Sequence, residues 1–493
     1  MARIVRTLVP LLLAVAPAQP ALAQVIPIRV VPVAEADQFG FFPSANFGMA
    51  SVSIALADSL LDPVQNPALG ARLKKARYFG GPTFFAVSNS AGSGQTFPLG
   101  GMARFGRVFA GVTLALQEID PAQPRQSGLF PLDALASSFA PGPFVVAEPN
   151  RSQRNRHAHG TVGYAFHDGL SVGASGFWSD LRAMEGSELL FTGSHNVSQR
   201  GNRSELRLGA AKEWGERSLE AVVLQSRQDM EYDVGYAQLF WDPATRQQQL
   251  FTFVSRAGMD SRTDGVHLRY GAPLRDTTWR FGAVATANVI HESRAPYYEF
   301  MGIPRDPSTT RAYSIGLGVT RRRGPVTVAL DALAEPAWRR ASGVADTALA
   351  AIGPETNREE SFFRFRNAVL RGGASRDFHI SGTTRLRLQA GAQVRSVNYQ
   401  LEQHDFLLGT FRERSNRWRE WTHAWGADFL FSSFQFGYQL RMLSGMGRIG
   451  VPPDHDGDVV FDVIRPGFPL SSNVTLYPVR VTSHQMFITV PLP

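Results

Sequence analysis

The chain contains no cysteine, almost no lysine and, beyond its first two dozen residues, no apolar run long enough to cross a membrane as a helix. Without cysteine there is no disulfide framework, no thiolate nucleophile, no sulfur-ligated metal and no acylated cysteine at a processed N-terminus. Stability must then reside in packing and backbone pairing. Lysine is confined to positions 74, 75 and 212, so nearly all of the positive charge behind the formal net of +8 is arginine. The apolar run Leu8 to Ala16 is about nine residues long, against the ~20 that a spanning helix needs.

What the first residues do contain is an order of charged, apolar and small residues: Arg3 and Arg6, then Leu8 to Ala16, then Ala21-Leu22-Ala23 ahead of Gln24. That order predicts a secretory signal over residues 1–23, cleaved after Ala23. Arg3 and Arg6 are not adjacent, so twin-arginine export is not indicated, and their removal lowers the net charge to +6 (8 − 2). In a cytosolic protein such a charge would suggest nucleic acid as a partner; export argues against it.

Past this leader, segments of about ten residues alternate apolar and polar side chains. From Thr384 to Arg395, Arg385, Arg387, Gln389, Gly391, Gln393 and Arg395 share one face, and Leu386, Leu388, Ala390, Ala392 and Val394 share the other. A period of two is the signature of a pleated strand, and a helix would mix these leucines and arginines on one face. Trp425, Ala427, Phe429 and Phe431 alternate in the same way, turn at Ser432-Ser433, and resume with Phe434, Phe436, Tyr438 and Leu440. Val162, Tyr164 and Phe166 precede a turn at His167-Asp168-Gly169 and a return through Val172, Ala174 and Trp178, with Asp-Gly chemistry suited to the reversal. Segments with one oily and one wet face fit a closed membrane barrel, since lipid admits only helices or edge-free sheets. The fold class expected is all-β: a closed antiparallel transmembrane β-barrel.

Seven short turns fall near residues 106, 168, 215, 273, 323, 376 and 432, separated by long segments at 119–157, 181–202, 291–310, 335–360, 396–417 and 444–479. Seven turns imply fourteen strands. An opening strand around Pro82 to Asn89 and a closing strand from Val479 to Val490 make sixteen, with both ends on the short-turn side. An extra-membrane hairpin over Tyr232 to Phe251 leaves fourteen or eighteen open. Short turns belong to the periplasm and long loops to the exterior. Trp178, Trp214, Trp279, Trp338, Trp418, Trp421 and Trp425 sit near strand ends, as an interfacial girdle requires, although tryptophans filling a soluble core would also account for them. Residues 24–80 lack alternation, carry Pro27, Pro32, Pro43, Pro63 and Pro67, and read as a periplasmic or plug segment ahead of a barrel over 81–493.

The most distinctive local phrase runs Asp58-Ser59-Leu60-Leu61-Asp62-Pro63-Val64-Gln65-Asn66-Pro67-Ala68. It resembles the acidic, Asn-Pro-Ala stretch near the N-terminus of the long-chain fatty-acid transporter superfamily, over about 20 of the 493 residues. The resemblance implies a fourteen-stranded barrel with an N-terminal hatch that moves hydrophobic compounds across the outer membrane. It places Asn66, Pro67 and Ala68 in a hatch-like turn; the residues alone support equally a proline-capped turn before the first strand. Bacterial barrels also resemble one another in closing on a terminal aromatic residue. This chain ends Thr489-Val490-Pro491-Leu492-Pro493, leaving Phe487 as a replacement anchor or the barrel in a divergent group.

Candidates for the lumen are Arg203, Arg207, Arg280, Arg385, Arg387, Arg395 and Arg441, with Asp428 and Gln435 and with fewer inward acids such as Glu205. Their aggregate bias suggests a field favouring anions; singly, each arginine reads better as a brace paired across strands. Arg151, Arg154, Arg156, His157 and His159 form a basic cluster ahead of a strand, suited to lipid phosphates or to an ordinary charged loop. Asp454, Asp456 and Asp458 have calcium-loop spacing, but Gly457 is misplaced and Arg465 stands where a glutamate is needed, so no metal site is assigned. His267, His379, His423 and His484 are dispersed and no catalytic residue is assigned. The expected function is passage or uptake of small molecules, porin-like or for hydrophobic compounds, without cofactor. A partner-binding barrel acting through its long loops and a barrel hydrolase are the alternatives. The expected partners are outer-membrane lipid, a small solute and the barrel assembly machinery, in the bacterial outer membrane.

Overall fold

A computed structural model of the chain describes residues 42–88, 93–120, 153–183, 194–242, 247–274, 276–293, 295–298, 303–305, 308–344, 357–406, 409–449 and 476–491. The signal segment 1–23, residues 24–41, Arg151 and the aspartates at 454, 456 and 458 lie outside the described residues.

Every barrel strand pairs antiparallel with the next, and the last pairs with the first. β1 is Arg77–Gly80 continued as Thr83–Val87, followed by β2 (Ser93–Phe105), β3 (Val108–Asp120), β4 (Gln153–Ala165), β5 (Leu170–Leu181), β6 (Ser194–Trp214), β7 (Arg217–Asp242) and β8 (Gln247–Leu274). The second half comprises β9 (Trp279–Glu292), β10 (Ser308–Arg323), β11 (Val326–Val344), β12 (Asn357–Ser381), β13 (Thr384–Asp405), β14 (Thr410–Leu430), β15 (Gln435–Ile449) and β16 (Leu476–Pro491). Closure pairs Arg77 with Pro491 and Thr83 with Gln485. The barrel therefore has sixteen strands with both ends on the short-turn side, and the fourteen implied by the superfamily resemblance are corrected. A small pair, Ala295–Tyr298 with Ile303–Arg305, lies in the β9–β10 connection.

Glycines in the left-handed region make most of the short reversals: Gly106, Gly169, Gly215, Gly324 and Gly382 all have positive φ. Between β8 and β9 the Asp276 carboxylate instead accepts from the amides of Thr278 (2.9 Å) and Trp279 (3.2 Å). The turn expected near 376 lies at 382–383. Gly372-Gly373 imitates a turn in sequence, but these glycines sit within β12 and Gly373 serves the lumen.

Several segments expected as loops are strands. β6 begins at Ser194, and β13 and β14 run to Asp405 and from Thr410; the extra-membrane hairpin weighed over Tyr232 to Phe251 adds no strand, being the continuation of β7 to Asp242 and of β8 from Gln247, strands 26 and 28 residues long. A spanning strand needs only ~9–11 residues, so these strands rise well beyond the bilayer. Above it water meets the outer face, the alternation that betrays a strand fades, and the sequence reads as loop.

The lipid-facing band is visible in what stays exposed: Leu99, Val112, Leu114, Leu208, Val223, Leu268, Leu317, Leu330, Leu388 and Ile488 all face outward. Along β3 the band runs from Val108 to Leu116, which at strand rise and tilt matches the ~25 Å apolar belt of an outer-membrane barrel. Trp178, Trp214, Trp338 and Trp425 are exposed on the outer surface and Trp279 and Trp421 partly so. Phe487 points the other way; it is fully buried, and the ring fills the space beside Gly437. Beside it Ile488 and Val490 face outward, so Phe487 does not serve as a lipid-facing aromatic anchor. Gly81-Pro82 interrupts β1 beside Pro98 of β2. Gly81 still donates to the Pro98 carbonyl (3.2 Å) and Met486 to that of Pro82 (2.9 Å), while the two prolines have no N–H to return.

The belt makes a direct prediction. Leu317→Arg, near mid-belt, should destabilise the barrel by ~2–4 kcal/mol and Thr309→Arg, above it, by about 1 kcal/mol or less, read as shifts in denaturant midpoint for protein folded into lipid vesicles. Equal midpoints would show that Leu317 does not face hydrocarbon.

Candidate functional site

The described residues ahead of β1 fold inside the barrel toward its short-turn end. The segment comprises a 3-10 turn at Phe47–Met49, a helical turn at Asp62–Gln65 and a 3-10 stretch at Pro67–Arg72. So short a piece cannot bury a core of its own, and it is organised around a carboxylate instead. Asp58, 2 % exposed, accepts from the Ser44 hydroxyl (2.6 Å) and from the amides of Ala45 (3.1 Å), Asn46 (3.3 Å), Leu60 (3.0 Å) and Leu61 (3.1 Å). Asn46 donates to the carbonyls of Val52 and Ala57. Asn66 caps the 3-10 stretch by accepting from Ala68 N (3.1 Å), and its amide donates to Ala210 O of β6 (3.3 Å), so Asn66, Pro67 and Ala68 form a turn seated on the wall.

The wall receives this plug on glycines. A side chain at Gly173 or Gly209 would strike Asn66-Pro67, one at Gly282 would strike Ile54, and one at Gly373 or Gly391 would strike Met49. At Gly373 an added Cβ would lie 2.6 Å from both Met49 Cβ and its carbonyl oxygen. Met49 is followed by Ala50 and Ser51, both at positive φ (55° and 58°), a tight non-glycine reversal held by Ala50 N to Phe47 O (3.1 Å) and Ser51 N to Asn46 O (3.0 Å).

Charge holds what shape admits. Asp331 of β11 accepts from Ser53 N (2.8 Å), Ile54 N (3.2 Å) and Arg371 of β12 (3.0 Å), and Arg371 also reaches the Ser53 hydroxyl (2.9 Å). Arg269 of β8 pairs with Asp62 (3.2 Å) and Glu220 (3.6 Å) and donates to Ile54 O (3.2 Å). Arg72 closes the network on Glu213 (2.6 Å) and Glu220 (2.8 Å). Asp62 belongs to the plug and not to a spanning strand; burial raises its carboxyl from the ordinary 3.8 to about 6, against the opposing pull of Arg269 and Arg72.

The sequence-derived lumen residues fall into three groups. Arg207 bonds Glu205 (2.5 Å) and the plug carbonyls of Val64 (3.4 Å) and Gln65 (3.2 Å), while Arg203 bonds Gln228 (3.1 Å) and lies 3.6 Å from Glu205. Arg441 lies over the Phe47 ring at 5.6 Å, and Asp428, fully buried, accepts from Gln389 (3.3 Å), which also donates to Ala45 O (2.8 Å). Arg387 pairs with Asp377 (2.8 Å) and Arg395 with Glu335 (3.4 Å) and Glu420 (4.0 Å). Arg280, Arg385 and Gln435 stand at the short-turn rim, Arg280 donating to the Glu216 carbonyl (2.9 Å). Sequence reasoning missed the acids facing these cations: Glu220, Asp331, Glu335 and Glu420 on the wall and Asp58 and Asp62 on the plug. A search for inward acids along each strand would have found the first four. The basic cluster is also divided. It lies within β4, where Arg154 and Arg156 face outward and His157 and His159 are buried in the lumen.

Above the plug the lumen changes character. A polar belt links His157 to Ser179 (2.6 Å), Asn155 to Gln117 (2.8 Å) and Gln117 to Thr96 (3.2 Å). Higher still, one wall presents Leu181, Val197, Met230, Tyr232 and Val234 as a buried apolar cluster. Six strands round the ring, Phe363 and Phe365 stack at 6.2 Å beside buried Val369, Val397 and Leu401. These residues share the parity of Glu220, Arg371 and Gln389, which touch the plug, so they face inward. Among the described histidines, His267 bonds Thr286 (2.8 Å), His423 stacks on Trp425 and His484 bonds Tyr438 (2.8 Å), on separate strands.

No family model matches the chain, and no curated protein sequence is detectably similar. Among solved structures it is similar to a Pseudomonas aeruginosa FadL homologue (12 % identity, TM-score 0.45, covering 91 % of this chain and 98 % of that one). It is also similar to the Pseudomonas putida toluene transporter TodX (10 %, 0.42, 90 % and 96 %) and to a bacterial polysaccharide outer membrane secretin (7 %, 0.36, 85 % and 99 %).

Two outcomes follow for the plug. Gly391→Val forces the Met49–Ala50 backbone off the wall and should cost ~1–3 kcal/mol of seating free energy, seen as faster proteolysis or hydrogen exchange within 42–76 while the barrel stays folded. Because the seated plug raises the Asp62 pKa, this group's contribution is full below about 4 and is lost as pH rises through about 6. Exchange of the plug amides should therefore quicken over that interval, and Asp62→Asn should flatten the profile; an unchanged profile in the variant would assign the titration elsewhere.

Proposed function

We propose that the protein is a plugged outer-membrane barrel for uptake of small molecules that carry extensive apolar surface. The observation that carries this reading is the apolar inner wall above the plug. An open aqueous pore keeps its lumen polar, and inward Phe363, Phe365, Val397, Leu401, Met230 and Tyr232 are the opposite of that lining. Burying apolar solute surface against such side chains gains ~25 cal/mol per Å², so the upper lumen would draw such a solute out of water. The seated plug, held by Asp331, Arg269 and Arg207, restricts free flow below it. Transit in this reading requires the plug to shift, and the partners are the solute, the surrounding lipid and the machinery that inserts barrels.

The test is transport into vesicles. Proteoliposomes of the full chain should take up a small apolar dye faster than protein-free vesicles while showing little steady ion conductance. Phe365→Asp should slow dye entry by about tenfold or more, the loss of roughly 1.5–3 kcal/mol of apolar contact. Dye entry equal to that of protein-free vesicles, or equal passage of hydrophilic solutes, would refute the reading.

A further inference from the structure

The outer surface just above the lipid belt is not uniform around the ring. On β7 and β8 the outward charges are mixed, with Asp229, Asp233, Asp260 and Asp264 among Arg227, Arg256 and Arg262. Across β10 to β14 they are not. The register sets the outward side chains in rows. The row Leu317, Ala332, Leu370, Val394 and Trp421 is wholly apolar and lies within the belt. In the next, Ala334, Ala368 and Ser396 lead to Arg419. Above that Pro336 faces Arg366, and Asn398 faces Arg417; a further step up, Arg311 and Arg364 flank Trp338 on either side. Three successive rows thus hold five arginines and no acid. Acids return only in the row after, where Glu402 and Glu413 face each other and Glu402 reaches down to Arg364 (3.1 Å).

We propose that this patch is a binding site for a phosphate group on the glycolipid headgroup of the outer leaflet. Rows on one strand face are ~6.8 Å apart and neighbouring strands ~4.8 Å apart. Arg366, Arg417 and Arg419 therefore stand close enough for their guanidinium groups to converge on one tetrahedral anion, with Asn398 between them as a neutral donor. Arg311, Arg366, Arg417 and Arg419 are all exposed at the height where headgroups begin. Guanidinium forks bond phosphate in bidentate fashion, and Trp338, exposed and packed edge to face against Tyr313 one row nearer the belt, supplies the amphipathic ring that favours this depth. A lipid phosphate is the source that fits, because the row immediately below is apolar and would hold the acyl chains of the same molecule. The assignment is independent of what passes through the lumen.

Full-length protein in detergent micelles is titrated with a bisphosphorylated glucosamine lipid, with the same lipid stripped of phosphate, and with inorganic phosphate, bound lipid being counted by native mass spectrometry. The phosphorylated lipid should be retained, less so as salt is raised, and the combined Arg366→Gln, Arg417→Gln and Arg419→Gln variant should retain it at least about tenfold less. Arg200→Gln, outside the patch, should leave retention unchanged, and heat-modifiable gel mobility shows that each variant is folded. Equal retention by the triple variant, or of the phosphate-free lipid, overturns the proposal. Inorganic phosphate that displaces the lipid at comparable concentration overturns the lipid as the ligand and leaves a free-anion site.

Discussion

Hydrocarbon offers the backbone no hydrogen-bond partner, and the rest of this structure follows from that constraint. Each strand must find both neighbours, so the sheet closes on itself and β16 returns to β1. Closure sends alternate side chains to lipid and to the lumen, which fixes the sign of nearly every inward and outward position from Leu99 to Val490. Where the constraint relaxes, at Gly81-Pro82 beside Pro98, the donors that remain still serve the proline carbonyls.

A ring of this circumference has more interior than its own side chains fill. The plug occupies the lower part by two devices: glycines that let its backbone approach the wall, and carboxylates that gather backbone amides and arginines. Asp58 orders the plug internally, and Asp331 and Asp62 tie it to β11, β12 and β8. A buried carboxylate is costly unless paired or hydrogen-bonded: Asp331 and Asp62 are paired with arginines, and Asp58 is held by the Ser44 hydroxyl and four backbone amides. Many of the inward arginines are consequently braces: Arg269 meets an acid of the plug, and Arg371 and Arg395 meet inward acids on other strands. The upper lumen, out of the plug's reach, is free to be apolar.

The outer face follows the same logic at its upper edge. Where the belt ends on β10 to β14 the side chains change from Leu370 and Trp421 to Arg366, Arg417 and Arg419 within two outward positions along the strand. Around β7 and β8 the corresponding positions mix both signs. The wall is therefore chemically polarised around its circumference as well as along its axis.

Alternation is a local property, and it was legible wherever one face met lipid: the faces of Thr384 to Arg395, the hairpins at 168 and 432, the strand count and the common side of both ends all stood in the amino-acid order. It failed above the bilayer, as in 194–202 and 396–405, where the outer face meets water and the inner one carries apolar side chains such as Val197, Val397 and Leu401, so that the sense of the alternation is reversed although the ladder continues. It also placed a turn near 376 that lies at 382–383, because a glycine such as Gly373 that admits a neighbour's backbone looks in sequence like one that bends its own. Asn66-Pro67-Ala68 announced a turn, but nothing local showed that it would rest on Gly173 and Gly209, over one hundred residues away. The chemistry of each strand face was determined by sequence alone, since lipid and water sort residues two by two. Which acid neutralises Arg269, which glycine receives Met49 and which arginines share a row were decided only by closure of the ring, since register and shear bring together residues that no local pattern relates.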